Sequence, residues 1–227
     1  RVAFPALSSM QGDVLRLRDG VRKALQAMMA FNVPAMMGMA VVAKPLVLTL
    51  FGEKWLPSVP LLQILSFAGL LWPIHLINLN VLKAQGHSGD FFRLEVIKKA
   101  IGVVLIGGAV FISVQALAWA QVAAGAAAAV INTYYSSRYL NYGILSQVKD
   151  ILSILISGSA MALMVICCQY YLASAFANSG IELLALITVG TIAYSILAWV
   201  LRLPGTEQIR REWRTVWKSA FACNSKV

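Results

Sequence analysis

Long apolar runs separated by short basic connections set the pattern of this chain. Six runs approach or exceed the length needed to cross a bilayer as a helix, about 20 residues. They cover about Leu25–Leu50, Pro60–Leu82, Glu95–Ser113, Ala116–Tyr135, Ile151–Leu172 and Ile181–Leu201. The third keeps only a short uncharged core after Lys98 and Lys99. Ahead of the first run, Val14, Leu17, Val21 and Leu25 recur at helical spacing, with Arg16, Arg18, Arg22 and Lys23 between them. Residues 1–23 therefore read as a cytoplasmic amphipathic basic segment, capped by Asp13 and lying along the membrane surface. A solvated loop-helix is the alternative. After the sixth run, Pro204-Gly205 breaks the chain and Thr206 can cap a helix. Ile209, Trp213, Trp217, Ala220 and Phe221 then form a stripe among Arg210, Arg211, Arg214 and Lys218, so residues 204–227 read as a cytoplasmic interfacial basic tail. Between the two ends lie four spans over residues 24–140 and two more over 141–203.

Composition supports the same class. The 227 residues are 59% hydrophobic and only 12% charged, with a mean hydropathy of +0.75. A soluble domain carries about a quarter charged residues. The expected fold is all-α, a polytopic membrane helix bundle of about six transmembrane helices in contact with membrane lipids.

The net charge of +10 does not point to nucleic acid, because the basic residues sit between apolar runs and not along one patch. Nearly all of the 19 Lys and Arg fall in alternate connections: Arg1 to Lys23, Lys83 to Lys99, Arg138 with Lys149, and Arg202 onward. The other connections hold only Lys54, and Lys44 lies inside a run. By the positive-inside rule both N- and C-termini are cytoplasmic. Cys167, Cys168 and Cys223 have no disulfide or metal spacing. There is no HExxH, Gly-rich phosphate loop, GxSxG or CxxC, so no catalytic residue, metal site or cofactor is expected. The chain opens on Arg1 and a loop-like FPALSS, with neither initiator Met nor signal peptide, which predicts a C-terminal fragment of a longer transporter.

Candidate chemistry lies where polar groups and helix breakers interrupt the runs. FNVPAMMGMAVVAKPLVLTLFGEKW, Phe31 to Trp55, contains Asn32, Pro34, Lys44 and Pro45. Pro45 removes a hydrogen bond to the Val41 carbonyl. Charge and breakers at membrane depth commonly face a cavity or another helix. Lys44 is therefore a candidate for attracting an anionic substrate group, although snorkelling to the headgroups would also explain it. In the second run Pro73 frees the Gly69 carbonyl, Ser66, Pro73 and Asn80 share a face, and Asn78, Gln85 and His75 lie nearby. Gln121 and Asn132 are the corresponding groups of the fourth run, whose alanines recur every four residues from Ala116 to Ala128. The cavity candidates are thus Lys44, Asn32, His75, Asn78, Asn80, Gln121 and Asn132. Hydrogen bonds between helices are the competing account of the amides.

Three segments carry a resemblance: FPALSSMQGD followed by RLR, then PLVLTLFGEKW, then NVLKAQGHSGDFFRLEVIKK. They resemble the C-terminal half of bacterial polysaccharide flippases, the O-antigen and exopolysaccharide (Wzx-like) branch of the multidrug/oligosaccharidyl-lipid/polysaccharide exporter superfamily. The resemblance runs over roughly residues 1–110 and weakens beyond. It implies a transporter of the bacterial inner membrane with twelve to fourteen helices in two lobes, working by alternating access. The first four spans would belong to the C-terminal lobe, and the N-terminal lobe of the same protein would be missing here. The implied substrate is an undecaprenyl-pyrophosphate-linked oligosaccharide, moved from the cytoplasmic to the periplasmic leaflet for surface polysaccharide and lipopolysaccharide synthesis. Polysaccharide polymerase machinery is a further implied partner. A cation-coupled multidrug exporter of the same superfamily is the alternative, and a membrane glycosyltransferase or O-antigen polymerase the alternative from another class.

Overall fold

Asp13 starts the first helix by accepting a hydrogen bond from the Arg16 amide at 3.0 Å. The structure, a computed structural model, describes residues 13–86, 88–172 and 179–203, so the expected basic tail lies outside the described residues. Seven α-helices occur among the described residues: α1 (Val14–Val41), α2 (Ala43–Phe51), α3 (Val59–Ala84), α4 (Ser88–Val110), α5 (Val114–Leu140), α6 (Ile144–Leu172) and α7 (Ser179–Val200). A 3₁₀ turn, Glu53–Ser58, joins α2 to α3. Among the described residues five elements are long and apolar enough to cross a membrane, and α4, with Asp90, Arg93, Glu95, Lys98 and Lys99, is not one of them.

The first expected span differs in two ways. No break separates the basic segment from it, because α1 runs unbroken through residues 14–41. The stripe read as membrane-facing (Leu17, Val21, Leu25) is fully buried in the protein's own core beside Tyr142, Ile151 and Ile154. The span then ends early. Val42, at φ −86° and ψ 10°, closes α1 and opens α2, so Pro45 falls in the first turn of a new helix. There its missing N–H has no intrahelical acceptor to lose. Trp55 follows in the 3₁₀ turn, its ring tilted against Phe51 at 6.1 Å.

Pro34 and Pro73 do lie inside helices, α1 and α3 respectively. Each leaves a carbonyl four residues back without its helical donor, and a neighbouring helix supplies one. Tyr194 of α7 donates its hydroxyl to the Ala30 carbonyl at 2.8 Å. Asn32 of α1 donates Nδ2 to the Gly69 carbonyl at 2.9 Å.

The last two spans are built into the core. α6 lies along α1, and Ile151, Ile154 and Ala198 share one buried cluster with Leu17, Val33 and Ile77. Gly158 makes this approach possible: a Cβ there would meet Val33 Cγ1 at 2.3 Å. Valine is stiff at χ1 and cannot swing aside cheaply.

Gly158→Ala is therefore expected to destabilise the fold by about 1–3 kcal/mol through overpacking. Gly102, whose Cβ would meet nothing within 4 Å, is the control, and Ala there should be neutral or slightly stabilising. Thermal unfolding of the two variants in detergent distinguishes these outcomes.

Candidate functional site

The polar residues of α3 and α5 converge in the protein interior. Asn78 is fully buried. Its Nδ2 donates to Gln147 Oε1 at 2.9 Å, Thr133 Oγ1 at 3.1 Å and the Ile74 carbonyl at 2.8 Å. Gln147 Nε2 returns a bond to Asn78 Oδ1 at 2.9 Å and also reaches the Tyr142 carbonyl at 3.2 Å. Ser136 Oγ donates to the same Asn78 oxygen. The reciprocal amide pair ties α3 to α6, and the two hydroxyls tie in α5. Its polar atoms answer one another where no water is at hand to do so. Asn78, expected to line a cavity, is closed off by these partners.

The network continues toward the basic ends of the helices. Tyr142, in the α5–α6 connection, donates its hydroxyl to Asp150 Oδ2 at 2.8 Å. Arg22 pairs with Asp150 Oδ1 at 2.6 Å, and Gln26 Nε2 donates to the Asp150 carbonyl at 3.1 Å. The Arg18 guanidinium lies 5.6 Å from the Tyr142 ring centre. Burial, and then the bond to Asp150, push the Tyr142 phenol well above its ordinary pKa. These contacts give Arg22 a partner on α6 and Arg18 one in the α5–α6 connection, where the sequence pattern had offered them only the membrane surface.

The other candidates scatter. Asn132 is fully buried on α5 and bonds His75 of α3 through Nδ2, to the ring Nδ1 at 2.9 Å and to the backbone carbonyl at 3.2 Å. Asn32 is engaged with Gly69 as described. Asn80 is half-buried, whereas Gln121 and Lys44 are exposed. The structure thus brings His75 and Asn132 together and leaves Lys44 apart. Among the described residues no group of three or more His, Cys, Asp or Glu is arranged to hold a metal.

A separate apolar cavity of about 770 Å³ opens between α1, α2, α6 and α7, and none of the seven candidates lines it. Ala30, Pro34, Gly38 and Val42 form one wall at four-residue intervals, and Leu186, Gly190, Tyr194 and Ala198 form the facing one. Its hydroxyls are turned onto backbone: Thr191 to the Ile187 carbonyl, Ser195 to Thr191 and Tyr194 to Ala30. What remains is a hydrocarbon-lined trough. In the sequence these positions lie inside continuous apolar runs, where they read as ordinary span residues.

Comparisons with known proteins place this arrangement. Residues 1–60 match a family model described as polysaccharide biosynthesis protein. The lipopolysaccharide biosynthesis protein WzxC of Escherichia coli is 34% identical over 110 residues, 48% of this chain and 22% of that protein. Over these segments the chain is similar to proteins of polysaccharide biosynthesis. The teichuronic acid biosynthesis protein TuaB of Bacillus subtilis is 30% identical over 116 residues, 51% of this chain and 23% of TuaB. An uncharacterized membrane protein in the cps region of Klebsiella pneumoniae is 48% identical over 71 residues, 31% of this chain and 15% of that protein. Among solved structures, the lipid II flippase MurJ in an inward closed conformation superposes over 88% of this chain and 42% of its own, with a TM-score of 0.70 and 18% identity. The matched region thus spans less than a quarter of each curated relative, and the fold is that of MurJ-like transporters.

Asn78→Leu removes the centre of the buried network and leaves Gln147 without its amide partner. An isolated loss of about 1–3 kcal/mol is expected. Adding Gln147→Leu should recover part of it, because the orphaned partner is then gone. A double-mutant cycle on denaturation in micelles measures the recovery.

Proposed function

We propose that the protein of which this chain is part translocates undecaprenyl-pyrophosphate-linked oligosaccharide repeat units from the cytoplasmic to the periplasmic leaflet, by alternating access and without catalysing a chemical reaction. The observation that carries this reading is the apolar trough between α1, α2, α6 and α7. A lipid-linked sugar is part hydrocarbon and part polar, and the hydrocarbon part needs a dry groove reaching the bilayer. This trough offers apolar walls whose few hydroxyls are already bonded to backbone. The names of WzxC, TuaB and MurJ, concerned with polysaccharide biosynthesis and lipid II flipping, support the same substrate class.

On this reading the polar headgroup is handled elsewhere. Val42 and Leu46 line the trough. Helical geometry points Lys44, two residues from each, to the opposite side. Lys44 and Gln121 are the exposed members of the candidate set, and a second lobe of the same protein would enclose them with the sugar and pyrophosphate. Polysaccharide polymerase machinery would receive the product.

Filling the trough with Gly38→Phe or Ala35→Trp in the intact protein should abolish surface polysaccharide while membrane insertion is retained. Normal polysaccharide from both variants would remove the trough from the transport path. Lys44→Ala should reduce surface polysaccharide at normal protein level, and an unchanged amount would leave Lys44 a snorkelling residue.

A further inference from the structure

At the break between α1 and α2, the Ala40 carbonyl is the natural acceptor of one donor and the actual acceptor of another. Val42, at φ −86° and ψ 10°, is not helical. Its amide still bonds the Gly38 carbonyl at 2.9 Å, and its own carbonyl takes the Leu46 amide at 2.9 Å. Between these two bonds a continuous helix would place two more, Ala43 to Met39 and Lys44 to Ala40. Neither forms here. The Ala43 and Lys44 amides instead open α2, and no side chain caps them. Ala43 is fully buried, so no water reaches its amide. The Ala40 carbonyl is taken by Gln63 Nε2 of α3 at 3.1 Å. Gln63 therefore holds the acceptor that Lys44 would need for the two helices to join.

We propose that α2 is a gate over one end of the trough, shut while the helix is broken at Val42 and opened when α1 and α2 join into one helix. The gating role rests on the trough being the path of the cargo. The arginines of α1 lie at its other end, so α2 stands away from the basic connections. On the direction of transport proposed above, the cargo leaves there. α2 leans on α7 more closely than α1 does. Val42 is buried with Leu183 and Leu186 of α7 and Val165 of α6, and Leu46 packs against that cluster. Val42 and Leu46 both line the trough, so these contacts close its wall at that end. A straight continuation of α1 would carry Leu46 off the cluster and part the wall.

Opposed costs and gains allow both arrangements. Joining the helices gains two backbone bonds in a place where water offers none. It loses the Gln63 bond and the packing of Leu46. It also sets the Pro45 ring against the Val41 carbonyl, which a helix running through a proline cannot avoid. The packing that has to move is small, because four buried residues form the cluster at α2 and seventeen form the main core. α2 can thus shift while the rest of the bundle stays in place. At its far end it stops on Gly52, at φ 84°, where nothing lies within 4 Å of a Cβ position. The short helix therefore has a pivot at each end.

The test is a distance. Spin labels at Thr49→Cys of α2 and Leu184→Cys of α7, both exposed positions, report the gap in the intact protein in lipid nanodiscs, with its native cysteines replaced. Gln63→Leu should raise the ratio of the longer distance to the shorter about fivefold, as the loss of one ordinary hydrogen bond implies. Pro45→Ala, which returns an amide to the Val41 carbonyl and removes the ring, should raise it further. Distances that neither substitution lengthens overturn the proposal. Bridging the same two cysteines with a bifunctional thiol reagent should stop surface polysaccharide, and export that continues unchanged removes the gating role. No cargo enters the distance measurement. A moving α2 in a protein whose trough-filling variants still export would therefore remove the trough from the transport path and keep the hinge, which tells the two failures apart.

Discussion

A carbonyl stripped of its helical donor inside a membrane has no water to turn to, and this constraint organises the bundle. Pro34 strips Ala30, and Tyr194 answers from α7. Pro73 strips Gly69, and Asn32 answers from α1. Each proline thus costs one backbone bond and fixes one contact between helices. The two contacts hold α7 and α3 to opposite ends of the same short stretch of α1, and the trough lies on the α7 side of it. Pro45 behaves differently because it stands where a helix begins, so the chain breaks at Val42 and α2 starts afresh.

Most of the buried polarity serves the same end. Lipid tails are as apolar as leucine, so side-chain burial alone gives little preference for helix against helix. Specific bonds and close approach must supply it. The Asn78–Gln147 pair with Ser136 and Thr133 joins α3, α5 and α6 at a fixed register. Gly158 lets α6 close onto Val33 of α1. Arg22, Gln26, Tyr142 and Asp150 then lock the basic ends of α1 and α6 together.

A division of labour follows. The amides that interrupt the apolar runs mostly bind the helices to one another, while the trough proposed to take a lipid-linked cargo is lined mostly by apolar residues. His75 with Asn132 is the exception within the network, because one of its atoms is left unanswered.

The sequence by itself determined the all-α membrane bundle, five of the spans to within a few residues at most ends, the family likeness and the side carrying the charge. Apolar run length and the scatter of Lys and Arg report directly on solvent, and solvent acts on each segment independently. It also marked the residues that matter, since Asn32, Pro34, Pro73, His75, Asn78 and Asn132 all make or force contacts between helices. What each one does was decided only by tertiary structure. An asparagine facing water in a pore and one facing a glutamine on another helix look alike in a single chain, because the partner lies tens of residues away, as Gln147 does from Asn78. For the same reason Leu17, Val21 and Leu25 could not be told from a lipid-facing stripe until α6 was seen to cover them. The trough escaped altogether, because a groove is a gap between helices and no residue in either wall carries its mark.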